Sequence, residues 1–178
     1  MSWKQQKKSN NNISIRINDK TYNTTYNLIG THNLSNLAIA LAIINAIDVI
    51  DITMINKISS LKNVKHRLSI SCVDNFTFID DSYNSNYQGF LNALDVLKEY
   101  KEKKIIITPG IIENIDKNNE KTEEICKKIS SVCDEALIIN NKNYASLIKF
   151  SKSFFTFKDA YDYLKEKYKT EHVVILIE

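Results

Sequence analysis

The sequence has no apolar run that approaches the roughly 20 residues a membrane-spanning helix needs. Its amino terminus is polar and rich in lysine, and no hydrophobic stretch follows it, so no signal peptide is recognisable. Glycine and proline are also scarce, with three and one among 178 residues, while asparagine, lysine and isoleucine dominate; this bias points to the base composition of the source genome. The absent segments favour a cytoplasmic protein without a membrane partner.

Cysteine is scarce too, and the spacing of the three cysteines does not match that of a metal site. Cys72, Cys126 and Cys133 form no CxxC pair and have no histidine nearby at metal-ligand spacing. Cys126 and Cys133 lie seven residues apart in a helical stretch, which predicts two packing residues on one face rather than a redox pair. The sequence therefore predicts no metal site, and its odd number of scattered thiols fits a reducing cytosol.

The formal net charge is only +3, and lysines alternate with acids along the chain. This pattern lacks the basic stripe that nucleic acid requires, so it excludes a nucleic-acid partner. With 43% hydrophobic and 25% charged residues, the composition is that of an ordinary soluble globular protein. The length suits one full domain, or one domain with a remnant of another.

The first third of the chain resembles the edge of a domain. Residues 1–12 lack periodicity and are predicted to be a disordered start or linker. Alternating isoleucines from Ile13 predict a strand, with residues 22–28 as its hairpin partner. Residues 34–47 are apolar on nearly every face, which predicts a helix buried on several sides and capped by Thr31 or Asn33. A short helix is expected around residues 53–61.

After the basic triplet Lys65-His66-Arg67, strands and helices alternate. The predicted strands are 68–73, 76–79, 105–107, 137–139 and 173–177, and the predicted helices begin near Phe90, Asn119 and Phe157. This alternation predicts an α/β fold: a Rossmann-like, mostly parallel sheet with helices on both faces. We place a domain boundary close to Lys65.

Two polar clusters follow predicted strands, at the sheet edge where open α/β folds bind ligands. The first is Asp80 to Asn86, and the second is Thr108-Pro109-Gly110 with Glu113 just beyond. The first cluster has two interpretations. Asp81, Ser82 or Asn86 could simply cap the next helix. Alternatively, Asp81 accepts hydrogen bonds from a sugar diol, while Tyr83 offers a ring face and a hydroxyl to a ligand.

Three ordered motifs resemble those of the Mur ligase family. Residues 30–36, GTHNLSN, are similar to the GxHNxxN signature that closes the family's central, ATP-binding domain. Arg67, then IDDSYNSN at 79–86 and TPGIIE at 108–113, are similar to the carboxy-terminal domain. The DDSYNxN form is most like that of the members that add D-alanyl-D-alanine to a UDP-MurNAc-peptide. The resemblance thus implies that residues 13–64 are a remnant of the central domain and residues 65–178 the carboxy-terminal α/β domain.

The resemblance implies ATP-dependent amide formation with ATP and Mg²⁺, in which an acyl phosphate forms and an amine displaces the phosphate. It implies one set of nucleotide-binding residues: His32, Asn33, Asn36, Arg67 and Asp81. It also implies that Tyr83, Asn84 and Asn86 contact the nucleotide edge or the incoming D-Ala-D-Ala. It assigns no catalytic residue and no Mg²⁺ ligand to this chain.

One departure from the family decides what the chain can do alone. The sequence contains no GxxxxGKS, GxxxxGKT, GxxGKS or GxxGKT loop, so it lacks the backbone cradle and lysine that hold the β and γ phosphates. We therefore expect a fragment or split product of a ligase that is inactive alone. The alternatives are a binding module that complements a separate chain carrying the phosphate loop, and a structural domain that has lost its ligand.

Overall fold

The computed structural model describes residues 12–83, 86–111, 119–141, 144–145 and 147–178. The chain divides into two compact units, the first ending at Asn63 and the second beginning at Val64. The expectation of a disordered start or linker falls outside the described residues, except for Asn12, which is the first residue of a strand.

The first unit is a hairpin with two helices. Strands β1 (Asn12–Ile17) and β2 (Lys20–Thr25) pair antiparallel across a turn in which Asn18 has a φ of 52°. Helix α1 (Thr31–Ile47) and helix α2 (Ile52–Lys57) follow, and a 3₁₀ turn (Ile58–Ser60) extends α2. Their small core consists of Tyr26, Leu41, Ile50, Ile55 and Ile58. The predicted hairpin and short helix are both present.

Two expectations for α1 are wrong. Leu41 is its only buried residue and Leu37 is half-buried beside it, while Ile39, Ile43 and Ile47 are exposed, because the described part of this unit packs against one side of the helix. Neither Thr31 nor Asn33 caps the helix: the N-cap is Gly30, with φ 88°, and no side chain bonds there. The Asn33 amide instead donates backwards to the carbonyl of Ile29, at 2.7 Å.

The second unit contains one six-stranded sheet. Its strands are β3 (Ser69–Val73), β4 (Phe76–Asp80), β5 (Lys103–Thr108), β6 (Glu135–Ile139), β7 (Ser151–Phe154) and β8 (Val173–Ile177). The spatial order is β3-β4-β8-β5-β6-β7, antiparallel between β3 and β4 and parallel elsewhere. The predicted mostly parallel sheet is confirmed.

Helices α3 (Tyr87–Lys98), α4 (Asn119–Val132) and α5 (Phe157–Lys167) cover this sheet. Ala160 and Leu164 of α5 pack on Phe76, Phe78 and other strand residues of one face. Successive strand residues point to opposite faces, so neighbours such as Ile79 face the other side. The apolar residues that recur at helical spacing in α3 and α4 are buried: Phe90, Ala93, Leu94, Leu97, Ile125, Ile129 and Val132.

The sequence did not predict β7. This strand has four residues at the edge of the sheet, and Lys152 and Ser153 at its centre are exposed. A short edge strand buries too little apolar surface to show a clear hydrophobic pattern. Cys126 and Cys133 of the α4 region are buried free thiols, which confirms their reading as packing residues. Among the described residues, no helix has the length and hydrophobicity to cross a membrane.

One buried carboxylate lies at the amino end of the sheet. Glu135, the first residue of β6, is 5% exposed. It accepts hydrogen bonds from the hydroxyls of Tyr163 and Tyr168, both at 2.7 Å, and from Lys167 Nζ at 2.8 Å. Burial alone would raise the pKa of Glu135, but these donors together lower it below its ordinary value. Glu135 thus ties α5 to the sheet through a charged hydrogen-bond cluster.

Candidate functional site

The first predicted polar cluster lies at the carboxyl edge of the sheet, in the loop between β4 and α3. The backbone N–H of Asp81 donates to the carbonyl of Ile177 at the end of β8, at 2.9 Å. The loop therefore begins where two neighbouring parallel strands end, which is the position at which open α/β sheets bind ligands.

A strained turn lies beside this loop. His66 and Leu68, which flank Arg67, have φ values of 62° and 49°, in the left-handed region that bulky residues rarely adopt. Two contacts join this turn to the loop: Asp81 Oδ1 accepts from Leu68 N–H at 3.0 Å, and Tyr83 N–H donates to the His66 carbonyl at 3.1 Å. The turn that carries Arg67 is thus fixed to the end of β4.

Three of the predicted site residues come together here. The Arg67 guanidinium carbon lies 4.5 Å from the centroid of the Tyr83 ring, a cation–π distance. Both side chains are exposed, and Asp81 is half-buried beside them. The result is a cationic group, an aromatic face and a carboxylate at one edge of the sheet, a set that can meet phosphate, base and sugar hydroxyls respectively.

The carboxyl group of Asp81 is electrostatically strained. Burial raises its pKa from 3.8 to about 6, and the nearby Asp80 adds to the rise, although Leu68 N–H and Arg67 oppose it. Strongly perturbed carboxyl groups in a crevice are frequent at functional sites. Asp81 is therefore a group at this edge whose charged form is destabilised by its surroundings in the fold.

Asp80 and His66 form a contact that sequence reasoning missed. The Asp80 Oδ2 atom lies 2.7 Å from His66 Nδ1, and Oδ1 accepts from Ser82 N–H and Oγ at 3.2 and 2.7 Å. Burial would raise the pKa of Asp80, but the bonds from Ser82 and His66 lower it below its ordinary value. The only sequence signal was the presence of both residues in polar clusters, since 14 positions separate them.

Asn86 occupies the N-cap of α3. Its side-chain oxygen accepts the N–H of Gly89 at 2.8 Å, so the capping interpretation holds for this residue. The cap uses the side-chain oxygen, so the side-chain NH₂ group is the part of Asn86 that can donate to a ligand. Asn84 lies outside the described residues, so its predicted contact with the nucleotide edge or the dipeptide stays a prediction.

Replacing Asn86 with alanine is expected to lower the free energy of unfolding by about 1 kcal/mol, because α3 loses its only side-chain cap. Urea denaturation followed by circular dichroism measures the difference. Asn92→Ala, further along the same helix, is the control for general loss of an asparagine. Equal stability of Asn86→Ala and the unmodified chain would contradict the cap.

In the first unit, the predicted nucleotide residues lie at the start of α1. His32 is half-buried; its Nδ1 atom has no hydrogen-bond partner among the described residues, and burial lowers its pKa. Asn36 Nδ2 donates to Asn33 Oδ1 at 3.2 Å, and Asn33 in turn holds Ile29. The structure thus brings Asn33 and Asn36 together. Among the described residues, the buried Nδ1 atom of His32 has no partner and can bond a ligand.

The second predicted polar cluster, after β5, forms a tight turn. Gly110 N–H donates to the buried Thr108 hydroxyl at 2.9 Å, and Asn141 Nδ2 donates to the Pro109 carbonyl at 2.9 Å. Gly110 has a φ of 93°, and a Cβ there would lie 3.0 Å from the ring of Tyr144. Glycine is thus required for the backbone and for the space. Glu113 lies outside the described residues.

Across the described residues, no group of three or more His, Cys, Asp or Glu side chains could hold a metal ion. Among the described residues of the second unit, Arg67, Asp81 and Tyr83 place three groups of different chemistry at this edge of the sheet. A guanidinium and a carboxylate beside an aromatic ring suit a nucleotide, since its phosphates are anionic and its ribose donates hydroxyl hydrogens. The fold and this edge together define an open α/β domain with a polar cluster at the carboxyl ends of its parallel strands.

Comparison with known proteins agrees with this class. The family model for the Mur ligase, glutamate ligase domain matches residues 66–177, and the chain belongs to this family. UDP-N-acetylmuramoylalanine–D-glutamate ligase of Prochlorococcus marinus (strain NATL2A) is 32% identical over 91 residues, which are 51% of this chain and 19% of that protein.

Solved structures show the same fold. MurF of Acinetobacter baumannii has a TM-score of 0.78 at 20% identity, over 93% of this chain and 38% of that chain. MurF ligase of Thermotoga maritima in complex with ADP has a TM-score of 0.71 at 19% identity, over 93% and 39%. Folylpolyglutamate synthase of Thermotoga maritima has a TM-score of 0.61 at 16% identity, over 89% and 38%. The chain thus spans about two fifths of the length of these proteins.

Proposed function

We propose that the chain supplies the carboxy-terminal part of an ATP-dependent amide ligase of peptidoglycan precursor synthesis. The observation that carries the proposal is the meeting of Arg67, Asp81 and Tyr83 at the carboxyl edge of the sheet. In this proposal Arg67 interacts with the phosphate chain of ATP, Asp81 accepts hydrogen bonds from the ribose hydroxyls, and Tyr83 lies against the nucleotide edge or the incoming amine. A MurF relative of similar fold was solved with ADP, which supports this choice of ligand.

The proposed substrates are a UDP-MurNAc-peptide and D-Ala-D-Ala, with the reaction in the cytoplasm. Support comes from the DDSYN sequence at 80–84 and from the likeness of the fold to MurF ligases. Asn84 and Asn86 are the proposed contacts of the dipeptide side. Mg²⁺ would accompany ATP, and the sequence resemblance assigns its ligands to a part of the family fold that contains the phosphate loop. His32, Asn33 and Asn36 remain proposed contacts of the adenine side.

The chain alone is proposed to be catalytically silent. Without a phosphate loop in the sequence, nothing fixes the γ-phosphate for attack by a carboxylate. Purified chain should therefore release no phosphate from ATP above the background of buffer, with or without Mg²⁺. ATP hydrolysis by the purified chain that disappears in the Asp81→Ala variant would overturn this part of the proposal.

Binding of ADP to the purified chain tests the nucleotide site directly. We expect Arg67→Ala to weaken ADP binding about tenfold, the effect of losing one charge-assisted contact to phosphate. Isothermal titration calorimetry measures both constants. Lys169→Ala is the matched control, because it also removes one positive charge but lies in the loop before β8, at the opposite edge of the sheet. ADP affinity that is unchanged in Arg67→Ala would contradict the role of Arg67.

A second candidate is a non-catalytic module that complements a separately encoded ATP-binding domain. The exposed apolar residues of α1 favour it: Ile39, Ile43 and Ile47 lie one turn apart and are 59%, 56% and 81% exposed. Exposed apolar stripes of this kind mark protein interfaces. Mixing the chain with a Mur ligase domain that carries the phosphate loop should then restore ligation. The substitution Ile43→Asp should abolish this restored ligation. Phe155→Asp, at an exposed site of the second unit, should not.

A further inference from the structure

Arg67 lies between two residues in an unfavourable backbone conformation. The left-handed φ values of His66 and Leu68 each cost about 1 kcal/mol or more relative to a right-handed conformation. Such a turn persists only when its surroundings hold it. Arg67 N–H donates to the Val64 carbonyl at 3.0 Å, and His66 N–H donates to Ser69 Oγ at 3.2 Å, but these bonds are local. The longer-range contacts of the turn come from Asp80 at the end of β4 and from the loop that follows it.

Those contacts are divided between the two sides of Arg67. On the carboxyl side, Asp81 holds the backbone of Leu68. On the amino side, Tyr83 N–H holds the backbone of His66, and Asp80 holds its imidazole at 2.7 Å. Since Asp80 Oδ2 is a carboxylate oxygen, it accepts, and His66 Nδ1–H donates. The imidazole therefore links the amino side of the turn to the last residue of β4.

Asp80 is itself held in place. It is the last residue of β4, paired with Ser69 in β3 and Ile177 in β8, and its second oxygen receives both the N–H and the hydroxyl of Ser82. A carboxylate fixed by this many bonds is a rigid acceptor. The position of His66, and with it that of the following residue Arg67, is thus set by the carboxyl end of β4.

We propose that His66 and Asp80 are positioning residues for Arg67: their hydrogen bond fixes the strained turn so that the guanidinium lies over the Tyr83 ring, ready for an anionic phosphate. The benefit for phosphate binding rests on the proposed nucleotide site. The positioning of Arg67 by His66 and Asp80 does not. Neither residue contacts the ligand in this scheme. Preorganising a long, flexible cation raises affinity because less conformational freedom is lost on binding.

The experiment compares three substitutions of His66 in the full chain. His66→Ala removes the hydrogen bond and leaves the strained backbone. His66→Gly also removes the hydrogen bond but relieves the strain, because glycine adopts positive φ readily. His66→Asn keeps an N–H donor on a residue that tolerates positive φ. His172→Ala is the matched control: His172 also bonds a β4 side chain, Thr77 Oγ1 at 3.1 Å, near the other end of that strand.

Two readouts separate this inference from the proposed function. The first is the Nε–Hε NMR signal of Arg67, assigned by its loss in Arg67→Lys, which is sensitive to the ring current of Tyr83 without any ligand. The second is ADP affinity by calorimetry. We expect His66→Ala and His66→Gly to shift the Arg67 signal towards that of a free arginine and to weaken ADP binding about tenfold. His66→Asn should restore both, and His172→Ala should change neither.

An Arg67 signal that stays in place in His66→Ala and His66→Gly overturns the inference, whatever ADP does. Recovery in His66→Gly overturns the role of the hydrogen bond and assigns the effect to backbone strain. Failure of the unmodified chain to bind ADP contradicts the nucleotide site, while the NMR signal still decides the positioning role. Circular dichroism melts of each variant confirm that the readouts are taken on folded protein, and Asp80→Ala, which removes the acceptor, provides a second, independent break of the same contact.

Discussion

Replacing Glu135 with alanine is expected to lower the free energy of unfolding by about 3 kcal/mol, because three donors lose their common buried acceptor. The hydroxyl of the buried Tyr168 would lack this partner, and Lys167 would lose the carboxylate that raises its pKa. The loss should appear as a lower urea midpoint at pH 7. Because the pKa of Glu135 is held below its ordinary value, the carboxylate stabilises the fold at neutral pH, and the difference should shrink as pH falls through the folded-state pKa.

Glu171→Ala is the control for this prediction. Glu171 forms an ion pair with Lys103 at 3.0 Å, but its side chain is 49% exposed, so its removal should cost about 0.5 kcal/mol. Equal effects of the two substitutions would show that the Glu135 cluster is no more than a surface ion pair. Glu135→Gln, which keeps an acceptor oxygen for the tyrosines, should fall between the two.

The sheet and its helices were predictable because their signals are local. Apolar residues at helical spacing marked α3, and short apolar runs marked β5 and β8, since these strands are buried on both faces. The edge strand β7 was missed because Lys152 and Ser153 face solvent and leave no apolar run. Hydrophobic pattern therefore predicts what is buried and says little about edges.

Burial of α1 was overestimated for a related reason. An apolar helix surface predicts only that something should cover it, and the sequence does not state that the covering residues belong to the same chain. In the structure only Leu41 is buried, while Ile39, Ile43 and Ile47 are exposed. The helix-cap prediction failed because Gly30 precedes the helix in a left-handed conformation, and the Asn33 side chain bonds backwards instead.

For the candidate site, the sequence named residues but not their geometry. The resemblance assigned Arg67 and Asp81 to the nucleotide and Tyr83 to the nucleotide edge or the incoming dipeptide, and the structure brings these three side chains together. The left-handed turn at His66 and Leu68 could not be read from residue types, because neither is glycine. Their contacts with Asp80 and Asp81 span 14 and 13 positions, so they arise only when β3 and β4 pair as a hairpin.

Asp81 carries an energetic cost that its proposed role explains. Its pKa rises from 3.8 to about 6 in the folded chain, so the fold binds the proton more tightly than the unfolded chain does. Between these two values stability falls as pH rises, and at pH 7 the charged carboxylate destabilises the fold by the full amount. A charged group that lowers stability at neutral pH is typical of a site where the charge binds a ligand.

Asp81→Asn should therefore stabilise the chain and weaken its ligand binding at the same time. The asparagine oxygen can still accept Leu68 N–H, while the desolvated charge is removed, so we expect a gain of about 1 kcal/mol at pH 7 after allowing for partial exposure. Below pH 4 the gain should vanish, because the carboxyl is then protonated in both states. ADP binding should weaken about tenfold, since the ribose hydroxyls lose a charged acceptor.

Urea denaturation between pH 3 and pH 7, with calorimetric ADP titration at pH 7, measures both effects of Asp81→Asn. Asp134→Asn is the matched control, because Asp134 Oδ2 likewise accepts a backbone N–H, that of Lys104 at 2.8 Å, but lies at the amino end of the sheet. Its ADP affinity should equal that of the unmodified chain. A loss of stability at pH 7 in Asp81→Asn would mean that the charge itself holds the Arg67 turn, and Asp81 would then be structural. Opposite signs for stability and binding are the result expected of a ligand-binding carboxylate whose burial is not offset by its partners among the described residues, here Leu68 N–H and Arg67.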